Sequence, residues 1–242
     1  MGNGSSLSGS NLGNKIDEFD VVIRVNDANI YGYENDVGTR RDIWCTYNPE
    51  KKFDKFFRYQ QSKSITMEQI QKDMSNVKEV WYVAPKQELL KGWNYRRLRI
   101  LNKNILYRHL GEEKLKEILS KFNHPTTGLI LIDILLTMYD KIHICGFDFG
   151  NDRDKSLKKH QYFSDRSIED GTKNTPHDTK REMDYVYNLI FQNKVIYLNK
   201  DIEIKDSFYI GITKNLMCES CGYNNIMYDW ENSICHKCES NI

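Results

Sequence analysis

The chain has 242 residues, room for one sizeable α/β domain and a small appendage. Its 35 basic and 34 acidic residues leave a net charge of +1, so bulk charge gives no reason to expect nucleic-acid binding. With 15 Tyr, 10 Phe and 4 Trp the composition excludes wholesale disorder. The most apolar run, Leu129 to Met138, is too short to cross a bilayer and carries Asp133.

In chain order, Gly2-Asn3-Gly4-Ser5-Ser6 comes first, a glycine- and serine-rich turn. Small residues let a backbone approach a ligand, and their N–H groups and hydroxyls can surround a phosphate. A flexible polar N-terminus is the alternative reading. Phe19 to Val25 and Ile43 to Tyr47 read as strands. Residues 48–75 are polar and aromatic, with a short helix capped by Thr66 and closed by Gln69 as a capping box. Glu79 to Ala84 is a third strand stopped by Pro85, Gln87 to Leu101 a helix, and Ile105 to Arg108 a short strand. Leu115, Ile118, Leu119 and Phe122 make Glu112 to Phe122 an amphipathic helix.

The turn His124-Pro125-Thr126-Thr127-Gly128 then leads into a helix from Leu129 to Tyr139 that is apolar all round, and into the strand Lys141 to Phe147. Residues 148–176 form a polar loop carrying Asp148, His160 and Tyr162. Thr179 to Phe191 is a helix and Lys194 to Leu198 a closing strand. Strands alternating with helices imply a mostly parallel sheet covered on both faces, with ligands at the carboxyl ends of strands. Asn26, Asp148 and the turn at 124–128 fall at such ends. A Gly-rich loop of this kind normally follows a strand, and Met1 leaves no room for one. The sheet is therefore expected to have an open edge or a gap in its middle.

The six cysteines divide by position. Cys45 and Cys145 sit in apolar runs and read as small buried hydrophobes. Cys218, Cys221, Cys235 and Cys238 form two C-x-x-C pairs separated by thirteen residues, the spacing of a Cys₄ zinc ribbon. A closed set of four thiolates points to structural zinc; redox-active disulfides are the rival reading. The domain division is 1–212 and 213–242, with the ribbon either packing on the larger domain or recruiting a protein partner. The sequence shows no secretion signal, which leads to the expectation of a soluble protein in the cytoplasm or another reducing compartment.

The stretch from Gly2 to Asp42 resembles the long sialylmotif of the eukaryotic-type sialyltransferases, glycosyltransferase family 29. Gly2-Asn3, Ser10, Gly13, Ile16-Asp17, Asp20, Val22, Arg24-x-Asn26, Gly32 and Asp36-Val37-Gly38 carry it. The run from His124 to Phe149 resembles the short motif, through Pro125-Thr126-Thr127-Gly128 and Gly146-Phe147. His160-Gln161-Tyr162 and His177-x-x-x-x-Glu182 look like the third and very short motifs, in the same order.

The resemblance implies a Rossmann-like glycosyltransferase fold and a CMP-sugar donor. Asn3 and Asn26 would hold phosphate and nucleotide. Thr126 and Gly128 would touch ribose or the donor carboxylate, with Thr127 and Gly146 beside them. His160 would support the phosphate leaving group and His177 would be the general base. It also implies inverting transfer of sialic acid to a glycan hydroxyl with no catalytic metal. Imidazole suits the base, because an acceptor hydroxyl needs a partner of near-neutral pKa to lose its proton.

Departures are visible. The family's cysteine before the first motif is absent, and Tyr139 stands where its partner is expected, so the inter-motif disulfide cannot form. On residue chemistry alone, Glu182 lies three residues after Thr179 and reads equally as half of a capping box. His177, after Pro176, reads equally as an exposed loop residue, and Tyr162 as a clasp. Two other functions stay open: transfer from a different nucleotide sugar, and a non-catalytic binding protein whose working end is the zinc ribbon.

Overall fold

A computed structural model describes residues 1–26, 28–47, 66–83, 106–109, 112–148, 160–163, 176–198, 216–217 and 224–225. The helix expected over Gln87 to Leu101, most of the polar loop and the four C-terminal cysteines lie outside the described residues.

The elements are α1 (Gly13–Asp17), β1 (Ile23–Val25), α2 (Glu34–Val37), β2 (Ile43–Thr46), α3 (Met67–Ser75), β3 (Glu79–Tyr82) and β4 (Leu106–His109). They continue as α4 (Glu112–Lys121), α5 (Thr127–Leu135), β5 (Ile142–Ile144), α6 (Thr179–Phe191) and β6 (Val195–Tyr197). Two short strands follow, β7 (Leu216–Met217) and β8 (Asn224–Asn225).

The expected parallel sheet is present. Strands β1 to β4 pair in sequence order, every pair parallel, with Ile23 opposite Ile43, Ile43 opposite Glu79 and Glu79 opposite Leu106. Strands β5 and β6 form a second parallel ladder with Ile142 opposite Val195. All four residues of β2 are buried, as a strand covered on both faces requires.

The expected gap lies between β1 and β5, and Met1–Gly4 bridges it at one end. The Met1 amine donates to Ile23 O at 2.7 Å and Val25 N–H donates to Met1 O at 3.1 Å. On the other side Gly2 N–H donates to Cys145 O and Gly4 N–H to Gly146 O, both at 2.8 Å. These bonds satisfy backbone groups that an open edge would leave unpaired. They also fix the glycine-rich turn at the carboxyl ends of β1 and β5.

Apolar residues gather in two clusters. One joins Val25, Ile43, Cys45 and Trp81 to Leu115 and Ile118 of α4, Leu129 to Ile132 of α5, and Val186 and Leu189 of α6. The apolar face of each amphipathic helix is what it contributes. The second joins Leu7, Leu12, Ile16, Val22 and Val37 to Cys145, Tyr162, Phe163 and Leu198. Cys45 and Cys145 are buried free thiols, as expected, and burial pushes the Cys45 thiol up to about 12. Helix α3 opens with the expected capping box: Gln69 N–H donates to Thr66 Oγ1 and Thr66 N–H to Gln69 Oε1.

Candidate active site

Asn3 lies between two strand ends. Its Nδ2 donates to Val25 O at 3.0 Å and its carbonyl accepts Tyr162 N–H at 3.2 Å. Its buried Oδ1 has no hydrogen-bond partner among the described residues. One strand over, Asn26 ends β1 in the left-handed region at φ 54. A short polar side chain tolerates that conformation best after glycine. Its N–H donates to Cys45 O at 2.9 Å, its carbonyl accepts Trp44 Nε1–H at 2.6 Å, and its Oδ1 accepts from Thr46 Oγ1 at 3.3 Å. The carboxamide is thereby oriented with Nδ2 as its remaining donor.

The glycine-rich turn is arranged differently from the sequence reading. Three of its amides are engaged within the chain: Gly2 and Gly4 on the β5 end, and Ser6, whose N–H donates to Asp148 Oδ2 at 2.9 Å. Ser6 Oγ donates to Asp148 Oδ1 as well. At Gly4, Ser6 and their neighbours the turn wraps a carboxylate supplied by the chain, because that anion already sits at the end of β5. A Cβ on Gly4 would lie 2.2 Å from the Asp148 carboxyl carbon, so a larger residue there has to displace that carboxylate.

Arg24, with 0% of its surface exposed, shapes the loop behind. Its guanidinium donates to Arg40 O and Val37 O, each at 2.7 Å. Asp17 accepts from Thr39 N–H and Oγ1, both at 2.8 Å, on the same loop. Arg24 and Asp17 thus hold the loop at 37–40 in place.

The corner at 124–128 is built around Thr126. His124 turns the chain at φ 53. Thr126 is the N-cap of α5, its Oγ1 accepting Leu129 N–H at 3.2 Å. Thr126 N–H and Oγ1 both donate to Glu182, at 2.7 and 2.5 Å. Glu182 is 1% exposed, and burial pushes its carboxyl up while Thr126 and the charge of His177 pull it down. The capping box expected from Thr179 is not formed. Asp178 caps α6 by accepting Arg181 N–H at 3.1 Å, which frees Glu182 to reach across to α5.

His177 stands beside the same corner, its Nδ1 2.5 Å from His124 O. A carbonyl oxygen only accepts, so Nδ1 carries the hydrogen and Nε2 is the basic nitrogen of the neutral ring. Thr127 begins α5 and is half-buried. Gly128 lies under the Phe147 ring, where a Cβ would meet Cε1 at 2.5 Å. Gly146, at φ 67, packs against Leu7 and Gly2.

His160 is half-buried and two residues from Tyr162, whose hydroxyl donates to Asn29 O. Tyr162 is buried edge-on against Tyr33 and Phe163, with ring centroids 5.2 and 4.9 Å away, so it is a clasp. The charge of His160 acts on Asp148, whose carboxyl burial pushes up against the pull of Ser6.

Asn3, Asn26, His160 and Gly146 thus belong to one neighbourhood, and Thr126, Thr127, Gly128 and His177 to another. Phe147 joins them, adjacent to Gly146 and seated on Gly128. Sequence reasoning gave Ser6 to a phosphate rather than to Asp148, assigned no role to Tyr197, and placed Asp148 in a loop without a partner. The signal for Asp148 was its position just past the end of β5. The four C-terminal cysteines lie outside the described residues; β7 and β8, which flank Cys218 and Cys221, pair antiparallel with Leu216 opposite Asn225.

Residues 1–194 match the sequence profile of Glycosyltransferase family 29 (sialyltransferase). The human type 2 lactosamine alpha-2,3-sialyltransferase is 28% identical over 217 residues, covering 83% of this chain and 64% of that protein. The human CMP-N-acetylneuraminate-beta-galactosamide-alpha-2,3-sialyltransferase 4 is 30% identical over 181 residues, covering 67% of this chain and 52% of its own length. The chain therefore spans between half and two thirds of these relatives. A crystal structure of a mammalian sialyltransferase in complex with Gal-beta-1-3GalNAc-ortho-nitrophenol superimposes with a TM-score of 0.51 at 18% identity, over 82% of this chain and 67% of that one. That likeness supports the fold.

Proposed function

The chain belongs to glycosyltransferase family 29, and we propose that it transfers sialic acid, or a related sugar, from a CMP-sugar to a glycan hydroxyl. The observations that carry this reading are the family match over residues 1–194 and the contact of His177 Nδ1 with His124 O at 2.5 Å. With Nδ1–H held on His124 O, Nε2 is presented as a base.

In the proposed step, Nε2 takes the proton of the acceptor hydroxyl. The oxygen forms the new bond to the anomeric carbon on the face opposite the phosphate. The bond from that carbon to the phosphate oxygen breaks, and CMP departs with the electron pair. Such a transition state is oxocarbenium-like, and the configuration inverts. His160 and Asn26 Nδ2 donate to the departing phosphate, whose growing charge rewards fixed donors. Asn3, Thr126, Thr127 and Gly128 line the nucleotide, and Gly146 lets the N-terminal turn approach. No step calls on a metal. The relatives' names make alpha-2,3 linkage the first to assay.

Titration of the purified chain with CMP, other nucleoside monophosphates and the His177→Ala variant tests this. The expected result is CMP-selective binding, retained in His177→Ala while transfer is lost. Selectivity for another nucleotide would redirect the donor assignment. Absence of any nucleotide binding would leave a non-catalytic binding protein.

For the tail we propose a structural zinc on Cys218, Cys221, Cys235 and Cys238, with a protein partner as its ligand surface's use. The support is the spacing of the two pairs and the antiparallel pairing of β7 and β8 around the first. Four thiolate ligands require a reducing setting, which extends the proposal to the cytoplasm or a similar compartment. Elemental analysis giving no zinc in the purified chain would refute it.

A further inference from the structure

We propose that Asp148 is a positioning residue of the donor site: its carboxylate stands inside the N-terminal turn and holds Asn3 and the His160 segment against the end of β5. The proposal rests on the assignment of Asn3 and His160 to the donor site.

Both oxygens of the carboxylate are used. Oδ2 accepts Ser6 N–H at 2.9 Å, and Oδ1 accepts from Ser6 Oγ and, at 3.5 Å, from the Tyr197 hydroxyl. The Tyr197 hydroxyl in turn accepts Phe147 N–H at 3.1 Å, so it ties β6 to the same point. Gly4 is shaped to the carboxylate, since any Cβ would overlap it. Gly4 N–H also donates to Gly146 O, two residues before Asp148, at 2.8 Å. The turn is thus gripped at residues 4 and 6.

Asn3 precedes the first of these anchors, and its carbonyl receives Tyr162 N–H, two residues after His160. A displacement of the turn therefore moves Asn3 and releases the clasp that carries His160. The carboxylate meets both donors of Ser6, the N–H and the hydroxyl, at the end of β5. An amide keeps an acceptor for Ser6 N–H but replaces the charge-assisted bond from Ser6 Oγ with a neutral one that runs the other way. A carboxylate this deep is tolerated because charge-assisted bonds replace its hydration.

The test uses the full chain with Asp148→Asn and Ser6→Ala, and Ser6→Thr as the conservative control that keeps the hydroxyl. Hydrogen exchange is followed over residues 2–8, CMP affinity by calorimetry, and donor and acceptor KM in the transfer assay. Removing a charge-assisted bond is expected to raise exchange over residues 2–8 and weaken CMP about tenfold. Donor KM should rise and acceptor KM stay unchanged, with Ser6→Thr close to wild type. Thermal unfolding of each variant confirms a folded chain, and Ser6→Ala serves where Asp148→Asn does not fold. Faster exchange with unchanged CMP affinity would show a merely structural anchor and overturn the proposal. Unchanged exchange would overturn it too. Failure of the wild-type chain to bind CMP would instead remove the donor-site reading beneath it.

Discussion

Glu182 commits both carboxylate oxygens to Thr126, and Thr126 commits its hydroxyl to Glu182 and the first turn of α5. Thr126→Ala is therefore expected to cost about 2–3 kcal/mol, one cap plus one buried acceptor left unpaired, measured by urea unfolding. Glu182→Gln should cost less, because its oxygen still receives Thr126 N–H. Glu182 and Asp148 also give stability a pH dependence. Burial raises both carboxyls from their ordinary values of 4.5 and 3.8. The native state then binds more protons than the unfolded chain, so this contribution is full below the ordinary values and is lost as pH rises through the folded ones. Glu182→Gln should flatten that fall; an unchanged slope would assign it elsewhere. His177 and Glu182 stand five residues apart in the sequence, yet their partners are 53 and 56 residues away. Spacing within a helix suggested the local partner Thr179. Only tertiary packing reveals that Asp178 takes the cap instead.

At the level of elements, periodicity carried most of the reading. Helix α6 runs over Thr179–Phe191 as expected, because its apolar residues recur at helical spacing and Asp178 caps its amino end. Helix α3 was legible from a four-residue capping box. The first strand was read too long at its amino end: Phe19 to Val25 became Ile23–Val25, since the preceding residues turn to bond with α1 and the loop at 40–42. Crossing points were not legible, because they depend on which backbones touch. Gly2→Ala should be far more disruptive than Gly128→Ala. The first places a Cβ 2.1 Å from Gly146 O, a backbone atom fixed by Gly4 N–H; the second meets the rim of the Phe147 ring, which can rotate. Comparing the two melting temperatures checks this, and equal losses would contradict it. Helix α3 is held by the buried pair Arg41–Asp73 at 3.2 Å. Asp73→Ala should cost about 3 kcal/mol, because it removes the carboxylate that faces a buried guanidinium.

At the scale of the whole molecule, the two parallel ladders among the described residues, β1 to β4 and β5 with β6, are joined through Met1–Gly4. The join lies at the carboxyl ends of β1 and β5, where ligands of such sheets bind. Asn3, Asn26, Gly146 and Asp148 lie at that end, and the His160 segment is tied to it through Tyr162 N–H on Asn3 O. The tail is expected to behave as a separate unit. A chelator should remove one zinc per chain and leave the main thermal transition in place. Loss of that transition would show the tail integral to the larger domain. Replacing Cys45 and Cys145 together should leave the zinc content unchanged.

The central claim is that Asn3, Asn26, the Thr126–Gly128 corner, His160 and His177 face one nucleotide. The direct measurement is an amide NMR titration of the assigned chain with CMP. The expected result is that the signals of Asn26, Thr126 to Gly128, the residues around His160 and those around His177 shift together along one binding curve. Shifts confined to one of these segments, or two curves of different affinity, would contradict it.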